Sequence, residues 1–576
     1  LIYLFQNKET LQIHILQGWL HMLCIMITQP PLRQACVENP HKPQYGGGII
    51  RNPEFNSGLE GWSTFGGAKI EERVSKGDNK YIVAHSREKP YDSFSQKLYL
   101  HKHLLYTLSA WVQVNQGNAS VRAVFKTRDG FKHAGVTLAN AGCWSMLKGG
   151  LTLDSSGPAE LYFESQDTSV EIWVDSISLQ PFTMEEWNSH QQQSIEKFRK
   201  SNVKIQALDA KGNPLVGAKI SIIQNALKFP LGNNINKEIL NNPAHQKWFT
   251  ERFTVTTFGN EMKWYSTENI QGQEDYSIPD AMLNFAKQNN IAVRGHNIFW
   301  DDPQYQPWWV KSLSKEDLAK AVQRRINSVV TRYSGQLIAW DVVNENLHFS
   351  FFESILGNDF SNNAYKTAHQ LDPKTPLFLN EYNTIEESGD GASSPSKYLK
   401  KLRQIQSSAQ GSLPMGIGLE SHFRVPNLPY IRASLDTLAS ANVPIWLTEV
   451  DVLPNPNQAN YLEQILREGY SHPAVKGIVM WAGRDAQGCY RMCLTDENFK
   501  NLPTGDVVDK LLREWVKRGF VGETDDNGVL EISLSHGDYE ATIDHPDLLN
   551  SLLLKSFKVV PAESSEHQAT LTVQAS

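Results

Sequence analysis

The stretches Trp340-Asp341-Val342-Val343-Asn344-Glu345 and Trp446-Leu447-Thr448-Glu449-Val450-Asp451 decide the fold. Each is a short apolar, β-branched run that ends in an acidic residue. A buried parallel strand that presents a carboxylate at its C-terminal end has this pattern. Similar runs recur around them over 226–518, at FPLGNNI, FTVTTFGN, IAVRGHNIFW, PLFLNEYN, MGIGLESH and VKGIVMWA. Stretches of helical length separate the runs, among them 315–334 and 428–442. Eight strands alternating with helices over about 290 residues predict a (β/α)8 TIM barrel. A doubly wound sheet is the competing architecture, but it would carry a Gly-rich phosphate turn early in the domain, and this stretch has none.

The chain has 576 residues, too many for a single core, so a multidomain protein is expected. Residues 48–181 carry short alternating runs such as LYTLSAWVQV (105–114) and VEIWVDSISL (170–179) between Gly, Asn, Asp and Ser turns. They predict an antiparallel β sandwich of jelly-roll type. Residues 182–225 read as a polar, helical connector followed by two strands. A similar β idiom returns over 519–576, at VLEISLS, YEATI and LLLKSFKVV. Neither piece has enough strands to bury a face alone. They are expected to pair into one small accessory β domain with the barrel inserted between its halves; two separate decorations are the alternative. Residues 1–47 read as a signal and linker segment. Within it, 11–28 are either a signal-peptide core or a stray terminal stretch, and 29–47 are Pro-, Gln- and Gly-rich linker.

Composition narrows the function classes. A net charge of −7 with no basic run argues against nucleic acid as a partner. No stretch beyond the N-terminal segment is long and apolar enough to cross a membrane, so the mature form is expected to have no membrane partner. Fifteen Trp and nineteen Tyr supply aromatic faces of the kind sugar rings stack on, although most serve as core. Cys24 lies in the N-terminal segment, and Cys36, Cys143, Cys489 and Cys493 remain. That is an even number compatible with secretion but too sparse for a disulfide scaffold. The Cys489-Tyr-Arg-Met-Cys493 stretch closes a small bridge or stays two thiols; it lacks the companion ligands of a zinc site.

Polar and aromatic residues gather where the predicted strands end: Asn260, Glu261 and Lys263 after the second, His296 and Trp300 at the third, Asn344 and Glu345 at the fourth. Asn380 and Glu381 end the fifth, Glu420 and His422 the sixth, Glu449 and Asp451 the seventh, Trp481 the eighth. In a barrel these ends converge on one mouth. Two glutamates on that rim have the parts for glycosidic bond cleavage.

The motifs GNEMKW, VRGHNIFW, WDVVNE, GIGLESHF and LTEVD, in that order, resemble those of the family 10 glycoside hydrolases, the endo-1,4-β-xylanases, over 226–518. The stretch 48–181 resembles a family 22 carbohydrate-binding module. With the Cys-Tyr-Arg-Met-Cys stretch and the closing β segment, the arrangement is most similar to plant cell-wall xylanases. The resemblance implies a secreted, wall-located retaining xylanase acting on xylan and related β-1,4-linked hemicellulose. Glu345 matches the acid/base and Glu449 the nucleophile. Asn344 matches the partner of the sugar 2-hydroxyl, and His422 a residue that orients the nucleophile. Asn260, Lys263, His296 and Trp300 match glycone contacts, and Trp481 an aromatic platform. Asp451 reads as support. In the module, Tyr91, Tyr162 and Glu164 match ligand contacts, a stacking platform and a polar pair. No metal or organic cofactor is implied for the chemistry; structural calcium in the module is left open.

Three positions depart from many microbial members: Gly259 replaces Glu, Glu420 replaces Gln, and Cys489 replaces a second Trp. An altered subsite affinity or pH optimum is expected from them. In the module, Phe65 stands where relatives carry Arg. Two other readings stay open: a xylan endotransglycosylase using the same intermediate, and a catalytically silent xylan-binding wall protein.

Overall fold

The computed structural model describes residues 36–75, 77–409, 413–516, 518–548, 553–561 and 569–574. The expected signal-peptide core at 11–28 lies outside them. The described chain forms two compact units. One holds the residues through His190 with Asn383–Leu402 and Asn427–Asn442, and the other holds the rest.

The second unit contains eight parallel strands: β1 (Leu231–Asn233), β2 (Val255–Thr257), β3 (Ala292–Trp300), β4 (Ala339–Asn344), β5 (Leu377–Glu381), β6 (Met415–Leu419), β7 (Ile445–Val452) and β8 (Val475–Met480). Each pairs with the next, and β1 pairs with β8 at Leu231↔Ile478, so the sheet closes on itself. A two-residue strand, His422–Phe423, pairs with the far end of β7 and sets His422 opposite Asp451. Every residue of β4, β5, β6 and β7 is buried, which is why these strands read as unbroken apolar runs rather than alternating ones.

Val255, Ala339, Phe378, Trp446 and Val479 fill part of the interior. Arg294 is fully buried, with its guanidinium 4.5 Å from the Phe378 ring centre and 5.2 Å from that of Trp446. Such a cation needs a partner, and its Nη2 lies 2.7 Å from Asp341 Oδ1. The surrounding helices are amphipathic. In Lys315–Tyr333, Ser314 Oγ accepts the Asp317 N–H at 3.1 Å, and a stripe through Leu318, Val322, Ile326, Val329 and Tyr333 is buried.

Below the barrel in sequence order, Lys200–Leu208 pairs antiparallel with Val529–Ser535 and parallel with Ala569–Gln574. Lys219–Leu227 pairs with Arg518–Glu523 and Gly537–Asp544. Ile205, Ile220, Ile222, Leu534, Tyr539 and Ile543 share the core between these sheets.

In the first unit, two five-stranded antiparallel sheets enclose Phe94, Val121, Phe125, Leu161 and Phe163 with Ile82, Leu108, Val112, Ile172 and Val174. The sandwich starts earlier than its expected boundary at 48. Cys36 is disulfide-bonded to Cys143, and Val37 exchanges two backbone hydrogen bonds with Trp144 at 2.9 and 2.7 Å. Residues 36–47 are therefore part of the sandwich rather than linker: two covalent and sheet-like tethers overrule a Pro- and Gly-rich composition.

Candidate active site

Glu345 follows the last residue of β4. Its N–H still donates to Asn380 O at 3.0 Å, but its φ of +59° turns the chain out of the strand. A non-glycine residue in that region is uncommon and costs on the order of 1 kcal/mol, so the surroundings must hold it there. Glu381, fully buried at the end of β5, does so. Its carboxylate accepts the Leu347 N–H at 2.8 Å and the Tyr382 N–H at 3.1 Å, and pairs with His348 Nδ1 at 2.6 Å. Tyr382 stacks on the His348 ring at 3.9 Å.

Glu449 sits in β7, and Asp451, two residues on, points the same way. His422 lies against both: Nε2 is 3.6 Å from Glu449 Oε2 and Nδ1 is 3.1 Å from Asp451 Oδ2. From β3, His296 Nδ1 meets Asp341 Oδ2 at 2.9 Å, and its Nε2 is 3.8 Å from Glu449 Oε1. The Arg294–Asp341 pair in the floor thus continues upward through His296 to Glu449.

Asn380 ties the rim together. Its Nδ2 donates to Asn344 Oδ1 at 3.0 Å, Glu449 Oε1 at 3.0 Å and Glu420 Oε1 at 3.3 Å, while its Oδ1 accepts from Thr448 Oγ1 at 2.6 Å. Asn344 Nδ2 in turn lies 3.4 Å from Glu345 Oε1.

On the β2 side, Lys263 Nζ donates to Asn260 Oδ1 at 3.1 Å and lies 4.3 Å from the Trp300 ring centre and 5.9 Å from that of Trp481. Trp481 also meets His296 edge to face, and Trp300 stacks on Tyr305 at 4.0 Å. Arg325, fully buried, fixes this side. It donates to Met262 O at 2.7 Å, Asn297 O and Ile298 O at 3.1 Å, and Thr267 Oγ1 at 2.9 Å, joining the β2 loop to the end of β3. Gly259 sits close under the Asn236 side chain: a Cβ would stand 2.3 Å from Asn236 Oδ1, so a larger residue here would displace that amide.

The electrostatics separate the two glutamates. Burial pushes Glu345 up to about 8, with the Glu381 and Glu449 charges adding to the push and Trp300 and Lys263 opposing it. Burial acts on Glu449 in the same sense, but His296, His422 and Lys263 outweigh it and hold Glu449 down at about 2. For His422, burial disfavours the cation, and Asp451 and Glu449 overcome it, raising the ring to about 10. Burial lowers Lys263, against the pull of Glu449, Glu345 and Glu420. Glu420, His422 and Glu449 bring three ligand-type atoms within 4.8 Å of one another.

The ten barrel residues expected to be catalytic or substrate-binding, Glu345, Glu449, Asn260, Lys263, His296, Trp300, Asn344, Glu420, His422 and Trp481, lie together at this mouth. The residues that sequence reasoning left without a role are Asn380, Glu381, His348 and Arg325. Asn380 and Glu381 had a visible signal as polar ends of an apolar strand. Arg325 had none.

In the sandwich, Tyr91 is exposed (39%) on a loop held by Arg87, whose guanidinium donates to five carbonyls, of Pro90, Asp92, Ser165, Asp167 and Val170. Tyr162 is buried beneath Phe65, ring on ring at 4.1 Å, and its hydroxyl donates to Glu164 Oε2 at 3.2 Å. Glu164 also pairs with Arg122 at 3.6 Å. Tyr91 and Phe131 are the exposed rings of this group, at 39% and 59%, while Tyr162 is covered.

The glycosyl hydrolase family 10 profile matches residues 221–504, and a carbohydrate-binding domain profile matches 47–170. An Arabidopsis thaliana protein named endo-1,4-beta-xylanase 5-like is 43% identical over 490 residues, 83% of this chain and 86% of that protein. Endo-1,4-beta-xylanase 5 of the same plant is 44% identical over 79% of this chain and 82% of its own. Among solved structures, the CBM22-1–GH10 modules of a Clostridium thermocellum endo-1,4-beta-D-xylanase, complexed with xylohexaose, align at 17% identity and a TM-score of 0.42, over 80% of this chain and 96% of that one.

Proposed function

This chain belongs to glycosyl hydrolase family 10, a glycoside hydrolase with an N-terminal carbohydrate-binding domain, and from that premise we propose that it is a retaining endo-1,4-β-xylanase of the plant cell wall. The observation that carries the reading is the opposite protonation of two glutamates in one network: Glu345 pushed up to about 8 and Glu449 held at about 2. Double displacement needs a proton on one carboxyl and none on the other at the same pH.

Glu449 attacks the anomeric carbon while Glu345 gives its proton to the leaving glycosidic oxygen. The bond between Glu449 and the sugar removes the nucleophile's charge. That takes away part of the push on Glu345, which then accepts a proton from the incoming water. Retaining enzymes of this kind hold the two carboxyls about 5–5.5 Å apart. Asn344, fixed by Asn380, is placed to bond the sugar 2-hydroxyl, a contact that strengthens as the oxocarbenium-like state develops. Asn260, Lys263, His296, Trp300 and Trp481 hold the glycone sugars. Glu420 and His422 orient Glu449.

In the binding module, Tyr91 offers its exposed face to xylan, with the Tyr162–Glu164 pair beside it. A structural calcium in the same module is part of this proposal, with Asp175 as its candidate ligand. Asp175 is buried and pushed up to about 6, with Asn79 and the Ser176 N–H opposing the push and the nearby Glu54 charge adding to it. A buried carboxylate beside a second, half-buried one is an arrangement that a hard cation relieves. Secretion to the wall accords with the plant relatives; among the described residues no helix is long and apolar enough to cross a membrane.

Reducing-end release at about pH 6 from glucuronoxylan, mixed-linkage glucan and carboxymethylcellulose tests the assignment, with Glu345→Ala and Glu449→Ala as controls. Xylan cleavage that both variants abolish is expected. Dominant cleavage of either glucan would sink the substrate assignment. Labelled products longer than a labelled xylo-oligosaccharide acceptor would replace hydrolysis by transfer.

A further inference from the structure

Cys489 and Cys493 are joined by a disulfide, which closes the pentapeptide Cys489-Tyr490-Arg491-Met492-Cys493 into a small ring after β8. The middle residues face opposite ways. Met492 is buried, and Tyr490 is 73% exposed with its ring edge-on to His422, 6.0 Å between centres. Arg491 turns inward. Its Nη1 lies 3.4 Å from Asp451 Oδ1, and its Nη2 donates to Phe423 O at 2.9 Å.

Those two contacts bracket His422. Phe423 is the next residue along the chain, and Asp451 is the carboxylate 3.1 Å from His422 Nδ1. Asp451 has no exposed surface and lies between two cations, Arg491 and His422. A buried carboxylate depends on such partners, because losing one leaves an uncompensated charge. The far nitrogen of His422 is 3.6 Å from Glu449. A continuous path therefore runs from an oxidised loop at the rim, through Arg491, Asp451 and His422, to Glu449.

We propose that the disulfide-closed ring 489–493 is a positioning element of the active site, in which Arg491 fixes Asp451 and the Phe423 carbonyl and thereby the His422 ring that faces Glu449. The proposal rests on the reading of Glu449 as nucleophile. Arg491 lies two groups away from the reacting atoms and acts only through others. The charged and titratable groups facing His422 are Glu449 and Asp451 from β7, Glu420 from the end of β6, and Arg491 and Tyr490 from the ring. His296 and Lys263 face Glu449 from the other side. With Arg491 removed, Asp451 keeps only the His422 cation, the cluster becomes more negative, and ionised Glu449 is disfavoured.

The test uses the full chain and four proteins: wild type, Arg491→Gln, Arg491→Lys, and Cys489→Ser with Cys493→Ser. Two quantities are read: the pH profile of kcat/KM on an aryl β-xylobioside, and the rate of inactivation by a 2-deoxy-2-fluoro-xylobioside, which reports attack by the nucleophile. Arg491→Gln is expected to raise the acid limb by about one pH unit and slow inactivation about tenfold. Arg491→Lys keeps the cation, and so keeps the wild-type limb. The serine pair moves toward the Gln variant. A Gln variant with a wild-type acid limb and inactivation rate would overturn the proposal. So would a Lys variant as impaired as Gln, since that marks a packing role, and so would a serine pair identical to wild type, which removes the ring from the path. A fluoro-sugar label found on a residue other than Glu449 would instead refute the underlying assignment of the nucleophile, whatever Arg491 does.

Discussion

Glu345→Gln and Glu449→Gln should change stability in opposite directions and with opposite pH dependence. Folding moves Glu345 from 4.5 to about 8. Between those values the unfolded chain releases a proton that the folded chain keeps, so stability falls as pH rises. At 1.36 kcal/mol per pH unit, the penalty at pH 7 is at most about 3 kcal/mol. Glutamine cannot ionise and escapes it. Glu449 moves from 4.5 to about 2, so its contribution is present above pH 4.5 and is lost as pH falls through 2. Glu449→Gln gives up at most about 3 kcal/mol at neutral pH, and it takes one anion from His422, which keeps Asp451, and one from Lys263, which keeps Glu345 and Glu420. The assay is thermal unfolding of the full chain from about pH 4 to 8.5, followed by Trp fluorescence, where about 3 kcal/mol amounts to roughly 5–10 °C in a domain of this size. The Glu345→Gln midpoint should climb above wild type as pH rises, and the Glu449→Gln midpoint should fall below it at neutral pH. A Glu345→Gln difference that stays flat between pH 4.5 and 8 would refute the assignment of a proton to that carboxyl.

Two further outcomes follow from the geometry. Asn380→Ala removes a donor to Glu449 and to Asn344, each a hydrogen bond to a charged or buried group worth about 1–3 kcal/mol; kcat should fall on the order of tenfold to a hundredfold, read by steady-state kinetics, and an unchanged kcat would remove Asn380 from the site. Millimolar calcium should raise the unfolding temperature of the wild type relative to a chelated sample, and Asp175→Ala should abolish that difference; equal midpoints with and without calcium would exclude the module site.

Much of the barrel was readable because its signal is local. A parallel strand covered on both faces is an apolar run, and where it meets the mouth the run ends in a polar residue. Glu345, Glu449, His296 and His422 could each be picked out from a few neighbours. Arg325 and Arg491 could not. Arg325 sits in a helix of ordinary composition and Arg491 inside the Cys489–Cys493 stretch, and the partners of each, Met262 and Ile298 or Asp451 and Phe423, are tens of residues away. The same limit applied to the cysteines, whose spacing allowed either a bridge or two thiols, and to residues 36–47, whose composition gave no sign of the tether to Cys143 and Trp144.

The sequence by itself determined the rhythm of strands and helices, the family, and the residues that stand at the mouth, because hydrophobic periodicity and side-chain identity are carried along the chain. Only the tertiary structure decided which glutamate keeps a proton. Protonation depends on burial and on charges within a few ångströms, and those charges come from β2, β3, β5, β6 and β7 together. It also decided that the aromatic face of Tyr162 lies under Phe65 while Tyr91 stays open, since stacking is a distance between residues nearly a hundred positions apart.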